Sequence, residues 1–230
     1  MSVAQQFDHQ ALTYDADLNR ALAISGEDKA YFARARVARL KQCLKALHHE
    51  PASIIDYGCG IGDTAVLLRD TLGAARVTGL DISIQSLEMA RAHYAAPGVQ
   101  FLGFQDCLPQ AACDLVYCNG VFHHIPVKQR NPAVDYIYRS LRPGGLLALW
   151  ENNPWNPGTR YVMSKCGFDR DAVPLAPPES RHLVCARGFE MVSLDFLFFF
   201  PRFLKLLRPL EPHLARLPLG AQYLVLCRKI

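Results

Sequence analysis

The 230-residue sequence contains no CxxC pair, and its cysteines and histidines nowhere fall at zinc-finger spacing. That excludes the common structural zinc sites and dithiol redox motifs, and no metal is expected. The cysteines stand singly at 43, 59, 107, 113, 118, 166, 185 and 227. Cys59, Cys107, Cys113, Cys118 and Cys227 fall in or beside expected strands, as reduced thiols do in a reducing compartment. No apolar run approaches about 18 residues, so no spanning helix is expected. The opening MSVAQQFDHQALTYDAD lacks a basic region followed by an apolar one, which predicts no secretory signal and a cytoplasmic protein. A formal net charge of +4 is mild, and no basic stripe is interleaved with stacking aromatics, so nucleic acid is not an expected partner. Internal repeats and low-complexity tracts are absent too.

What the chain does have is an ordinary globular balance, with 50% hydrophobic and 20% charged residues in a length that suits one domain. Residues 1–48 read as a loop followed by a helix, DKAYFARARVARLKQCLKAL, with Tyr31, Ala35, Ala38 and Cys43 or Leu44 on a shared face. Pro51 ends it. From residue 53 short apolar strands alternate with amphipathic helices. SIIDYG, ARVTGLDI, VQFLGF, DLVYCNG and LLALW are the strands. The first helix, DTAVLLRDTLG, aligns Ala65, Leu68 and Leu72 and has Gly73 at its C-cap position. The second starts at Ser83, an N-cap, and turns Ile84, Leu87, Ala90 and Tyr94 inward. In the third, Asn131 is the expected cap and Pro132 the first helical residue. FEMVSLDFLFFF and AQYLVLCRK add two further strands after residue 188. Parallel strands need crossovers, so the alternation predicts a parallel sheet with helices on both faces.

Three features lie where a nucleotide would be held. DYGCGIGDT places Gly58, Gly60 and Gly62 between a strand and a helix, where glycine permits a tight turn and close backbone approach. The spacing is GxGxG, not the GxGxxG of pyrophosphate-binding dehydrogenases. Asp81 closes the second strand 19 residues after Gly62, where a carboxylate can accept both hydroxyls of a ribose or cap the following helix. Asp106 follows the third strand, in position for the exocyclic amine of an adenine.

Taken together, IIDYGCGIGDT, GLDIS, FLGFQD, DLVYCNGVFHHI and LRPGGLLAL resemble the class I S-adenosylmethionine-dependent methyltransferases in order and spacing, over about residues 53–150. The resemblance implies a Rossmann-like, seven-stranded, mostly parallel sheet ending in a reversed C-terminal β-hairpin. It implies S-adenosylmethionine as cofactor and S-adenosylhomocysteine as product. Gly58, Gly60 and Gly62 would line its methionine and ribose, with Asp56 near the amino group and Asp81 and Ile82 at the ribose. Asp106 and Cys107 would meet the adenine edge, and Asn119 the region of the sulfonium. FDHQALTYD resembles the lid of small-molecule members, with Tyr14 as the aromatic contact. The single domain of residues 1–230 would then comprise an N-terminal helical lid (1–50), a cofactor core (53–150) and an acceptor side (151–230) with an insert at 200–219.

On the acceptor side, His123 and His124 follow the fourth strand, and Glu151 ends the fifth. Each is a candidate base for a hydroxyl acceptor, the alternatives being a histidine packed under the loop or bonded to backbone, and for Glu151 an acceptor for a substrate hydroxyl or a surface residue. Adjacent residues usually point to different sides, so one histidine at most would face the acceptor, and neither has a carboxylate at ligand spacing in sequence. ENNPWNPGTR supplies Asn153, Trp155 and Arg160 as a substrate-side wall. The sequence NGVFHH replaces the Asn/Asp-Pro-Pro-aromatic motif of base-amine methylases, so the expected acceptor is a small molecule. An oxygen of an aromatic, lipid-like or glycolipid compound leads, with nitrogen or carbon as alternatives. A nicotinamide-dependent oxidoreductase and a non-catalytic S-adenosylmethionine-binding protein are the other classes. The segment FFFPRFLKLLRPLEPHLARLPLG has leucines and Phe203 near one face and Arg202, Lys205, Arg208 and Arg216 available for the other. It reads either as an insert packed over the sheet or as a membrane-surface contact within 196–217, at the inner face of a membrane.

Overall fold

The computed structural model describes residues 8, 14–169 and 171–230. Strands β1 (Ser53–Tyr57), β2 (Arg76–Asp81), β3 (Val99–Gly103), β4 (Cys113–Asn119), β5 (Leu141–Asn152), β6 (Phe189–Leu197) and β7 (Gln222–Lys229) form one sheet in the order β3-β2-β1-β4-β5-β7-β6. The first five are parallel, and β7 runs antiparallel between β5 and β6. Helices α1 (Tyr14–Leu22), α2 (Lys29–Ala46), α3 (Asp63–Leu72), α4 (Ile84–Tyr94), α5 (Val127–Ser140), α6 (Pro157–Lys165) and α7 (Pro177–Cys185) complete the main elements. Two apolar clusters cover the two faces of the sheet, one joining α2, α3 and α4 to β1–β5 and β7, the other joining α5 and α7 to β1 and β4–β7. Strand order reverses between β1 and β4, and a crevice opens there at the carboxyl ends of the parallel strands.

Several local expectations hold. Ser83 caps α4 by accepting from the Ser86 amide, and Gly73 ends α3 in the left-handed region with φ of 73°. All eight cysteines are free thiols. Others need correction. The buried face of α2 is Ala33, Arg36, Val37, Leu40 and Leu44, and Ala38 is exposed. Helix α5 starts at Val127 rather than Asn131, so Pro132 lies inside it. The proline cannot donate to the carbonyl of Lys128, an exposed residue in the first turn. Ile84 points to solvent at 64% exposure, because Ser86, Leu87 and Ala90 form the inner face of α4.

Gly62 has φ of 91°, and a Cβ there would stand 2.7 Å from the Phe101 ring and 2.8 Å from the Ala90 Cβ. Gly62→Ala is expected to cost roughly 2–4 kcal/mol, from overpacking together with left-handed strain. The midpoint of urea unfolding measures it; an unchanged midpoint refutes the close packing.

Candidate active site

The crevice contains a cavity of about 530 Å³, a usual size for a small-molecule site. Its wall takes Asp56 and Gly58 from the end of β1, Gly60 from the turn, Asp81 and Ile82 from the end of β2, and Asn119 from the end of β4. The turn is held from the acid side. Asp81 accepts from the Gly60 amide through Oδ2 at 2.8 Å and from the Ser83 amide through Oδ1 at 2.9 Å. Each oxygen keeps one further lone pair. Burial raises the Asp81 carboxyl, against the lowering effect of those amides. Gly60, with φ of 54°, has nothing within 4 Å of where its Cβ would be.

Asp56 is buried, and its Oδ2 has no hydrogen-bond partner. Burial, reinforced by Asp63 and Asp81, raises its carboxyl to about 8. An unpartnered, desolvated acid at a cavity wall is suited to an incoming ammonium group, and the free lone pairs of Asp81 to a pair of hydroxyls. These residues therefore fit the amino-acid and ribose parts of S-adenosylmethionine.

Three expected cofactor residues lie elsewhere. Gly62 faces Phe101 and Ala90 and is outside the cavity wall. Asp106 is exposed in a 3-10 turn, Phe104–Asp106, and Cys107 uses its carbonyl to accept from the Tyr136 hydroxyl. Neither lines the cavity; Phe104 and Tyr136 do. The side chain of Tyr14 lies outside the described residues.

A second cavity, of about 440 Å³, adjoins the first. The two share Lys29, Thr64, Asn119, Gly120 and His124. Its further walls combine aromatic rings, Tyr31 and Phe32 of α2 and Phe198–Phe200 after β6, with aliphatic and amide side chains, the cations Arg36 and Arg208 and the acids Glu27 and Asp169. Arg208 pairs with Glu27 at 3.0 Å and lies 4.7 Å from the Tyr31 ring centre. Arg36 donates to the Tyr117 hydroxyl at 3.2 Å and the Gln222 amide oxygen at 2.9 Å. The sequence held no signal for Arg36, because the face of α2 that buries it was not the one its periodicity suggested.

At the end of β5, Glu151 turns inward and is 1% exposed. Its Oε1 accepts from the Phe122 amide at 2.8 Å and its Oε2 lies 2.6 Å from His123 Nδ1. On the other side of the ring, His123 Nε2 is 3.5 Å from Asp169 Oδ1, which is also 3.4 Å from His124 Nε2. Burial opposes charge on His123, but the two carboxylates outweigh it and raise the imidazole to about 10. His124 moves the other way, to about 3, through burial and the neighbouring imidazolium.

This arrangement corrects the sequence expectations in four ways. Glu151 lines neither cavity and holds His123. The two histidine rings lie together, with centres 4.2 Å apart. A carboxylate does reach them, Asp169, delivered by the 3-10 turn Gly167–Asp169 from a part of the chain that spacing could not connect. His123, His124 and Asp169 each offer one ligand atom within 4.8 Å of the others. His123 stands between Glu151 and Asp169 in this group, which reads as a buried ion network. Finally, the proposed substrate wall is displaced. Asn153 is fully buried and clamps the chain by donating to Pro218 and Gly220 carbonyls. Trp155 is 51% exposed and Arg160 is on the outer face of α6; neither lines the second cavity, whereas Asn152 and Asn156 do.

Residues 54–145 match the family described as a methyltransferase domain. The insertion of antiparallel β7 separates this sheet from the 3-2-1-4-5-6 order of dinucleotide-binding enzymes. Residues 54–145 are thus similar to a methyltransferase domain, and the chain has the fold of S-adenosylmethionine-dependent methyltransferases. Among curated relatives, the trans-aconitate 2-methyltransferase of Azoarcus sp. (strain BH72) is 34% identical over 102 residues, 44% of this chain and 39% of that one. The enzyme of the same name from Escherichia coli O157:H7 is 27% identical over 139 residues, 58% of this chain and 54% of that one. The chain thus spans about half the length of the curated relatives it matches. A methyltransferase from Thermotoga maritima superposes over 100% of both chains with a TM-score of 0.67 at 20% identity, which speaks for the fold. In this methyltransferase fold the family match covers the cofactor side, and Tyr31, Phe32, Arg36 and Phe198–Phe200 all lie outside it.

Proposed function

We propose that the protein transfers the methyl group of S-adenosylmethionine to an oxygen of an apolar small molecule, and that this oxygen is already anionic, a carboxylate or a phenolate. The observation that carries this is the common wall of the two cavities, at which His124 and Asn119 stand. The cofactor supplies a methyl group already activated on a sulfonium. The chain's own task is alignment, and holding two reactants as a near-attack pair is worth roughly 7–11 kcal/mol of barrier. Asp56 and Asp81 fix the donor side. Aromatic walls exclude water from the acceptor and hold its apolar body, while Arg36 and Lys29 favour a negative end.

The electrostatics of His124 favour an acceptor that needs no deprotonation over an alcohol. An imidazole pushed to about 3 is a weak base, too weak to strip a proton from a hydroxyl at neutral pH. It remains neutral, and it suits orienting an oxygen that needs no deprotonation. The name carried by the curated relatives, trans-aconitate 2-methyltransferase, also denotes an acid acceptor. A polycarboxylate such as theirs is the second candidate, favoured by Arg36 and disfavoured by the aromatic walls.

Incubation with methyl-labelled S-adenosylmethionine and a panel of aryl and long-chain carboxylic acids, phenols, alcohols and trans-aconitate tests this. Methyl esters of the apolar carboxylic acids, or aryl methyl ethers of phenols acidic enough to be ionised at neutral pH, are expected, with kcat/KM on the carboxylic acids flat from about pH 6 to 8. His124→Ala should lower kcat by less than about tenfold, where loss of a general base would cost roughly 10²–10⁴-fold. Arg36→Met should raise KM by roughly 10–100-fold, the worth of one charge-assisted hydrogen bond. Turnover confined to alcohols overturns the proposal.

A further inference from the structure

Between β6 and β7 the chain leaves the sheet and forms a nine-residue 3-10 segment, Arg202–Leu210, followed by the short helix Glu211–Leu214. None of the nine residues is buried. Phe203 is 79% exposed, Leu206 87% and Leu210 51%, and Leu217 and Leu219 continue the apolar surface at 46% and 65%. The apolar side therefore does not pack over the sheet, as one sequence expectation had it. It faces water. Ile24, 58% exposed, joins the patch, since the Arg202 guanidinium donates to the Gly26 carbonyl beside it. Contiguous apolar surface of this kind marks a place where something docks.

Its charge identifies the occupant. Arg202, Lys205 and Arg216 are exposed, whereas the one acid between 198 and 220, Glu211, is half-buried and accepts from the Phe200 amide. Aromatic and leucine side chains framed by cations match an anionic lipid surface, where apolar groups enter the acyl boundary and cations meet headgroups. A second copy on a twofold axis would instead set these cations against their own equivalents. Position adds a reason: Ile24, Pro201 and Phe203 also line the second cavity, so its mouth opens within the patch. No helix among the described residues is long and apolar enough to cross a membrane.

We infer that the face built from Ile24 and residues 202–219 docks on the surface of an anionic bilayer, presenting the mouth of the second cavity to the lipid. Docking is independent of which molecule is methylated, so the experiment measures binding alone. Wild-type protein is sedimented with vesicles of phosphatidylcholine, or of phosphatidylcholine with 30% phosphatidylglycerol, at low and at 0.5 M salt. Partition onto the anionic vesicles is expected to exceed that onto neutral ones by at least tenfold, and to fall with salt. Leu206→Asp and Lys205→Glu, at positions outside both cavities, should each lower it at least fivefold while S-adenosylhomocysteine affinity and the melting temperature stay unchanged. Absence of partition onto anionic vesicles at low salt overturns the inference. So does a self-association, seen by sedimentation velocity, that Leu206→Asp abolishes while vesicle binding survives.

Discussion

Glu151→Ala is expected to destabilise the protein by about 3–5 kcal/mol, the usual consequence of removing one partner from a buried ion pair. Glu151 and His123 are both almost fully buried, and their contact is 2.6 Å. Without the carboxylate, the imidazolium must give up its proton or remain charged beside Asp169 alone, and the Phe122 amide loses its acceptor. For a chain of this size the melting temperature should fall by roughly 10 °C. A pH signature separates the charge effect from simple loss of packing. The folded state raises His123 above its ordinary value to about 10, so it binds that proton more tightly than the unfolded chain. The stability it contributes is complete below about pH 6.5, the ordinary histidine value, and is lost as pH rises through about 10. His124, lowered to about 3, contributes with the opposite sign, and its part is lost as pH falls from about 6.5 toward 3. In Glu151→Ala the alkaline loss should shrink while the acid loss persists. Glu151→Gln, which keeps the shape and the amide's acceptor, should behave in the same direction with a smaller drop. Identical alkaline slopes in wild type and both variants would sink the pairing.

The cofactor side was readable in the sequence because each strand of the parallel sheet is a short apolar run closed by a glycine or an acid. Those closing residues are the ones that reach the crevice: Asp56, Gly58, Gly60, Asp81 and Asn119 all line it. Where several forces shape one position, reading by type failed. Gly62 belongs to the same motif, yet its freedom from a side chain serves Phe101 and Ala90. Helix α2 carries the alternation ARARVARL, in which alanine and arginine give little periodic signal, so the true face through Arg36 and Leu40 was not evident. Glu151 stands in a strand paired on both edges, by β4 and β7, so alternation says nothing of its direction. Its partners come from loops, and Asp169 arrives from a turn that no spacing rule joins to the VFHHIP stretch. The wall of the second cavity was the least legible part, because it draws on α1, α2, α6 and the residues after β6, and only the folded sheet brings these together.

Asp81→Ala is expected to weaken binding of S-adenosylhomocysteine by at least about 100-fold. Two lone pairs of this carboxylate are spent on the Gly60 and Ser83 amides, which leaves two for the hydroxyls of a ribose. Hydrogen bonds to a charged group are worth about 1.5–3 kcal/mol each, so losing the pair amounts to roughly 3–6 kcal/mol, or two to four decades in Kd. The variant also releases the Gly60 amide, and a slack turn could lower affinity without any contact to the ligand. Asp81→Asn separates the two effects. Its amide oxygen can still accept from the Gly60 amide, while the negative charge and one acceptor are gone. A loss of roughly 10–100-fold is therefore expected for Asp81→Asn if the carboxylate holds the ligand directly, and almost none if its service is to the turn. Asp56→Asn provides an independent comparison on the opposite wall. Its orphan Oδ2 makes no bond in the chain, so substitution should leave stability intact while reducing affinity for a ligand that carries an ammonium group. Calorimetric titration with S-adenosylhomocysteine, and with its analogue lacking the amino group, reads both walls. The assignment of Asp81 fails if Asp81→Asn binds within threefold of wild type, and that of Asp56 fails if Asp56→Asn loses as much affinity for the deaminated analogue as for the parent compound.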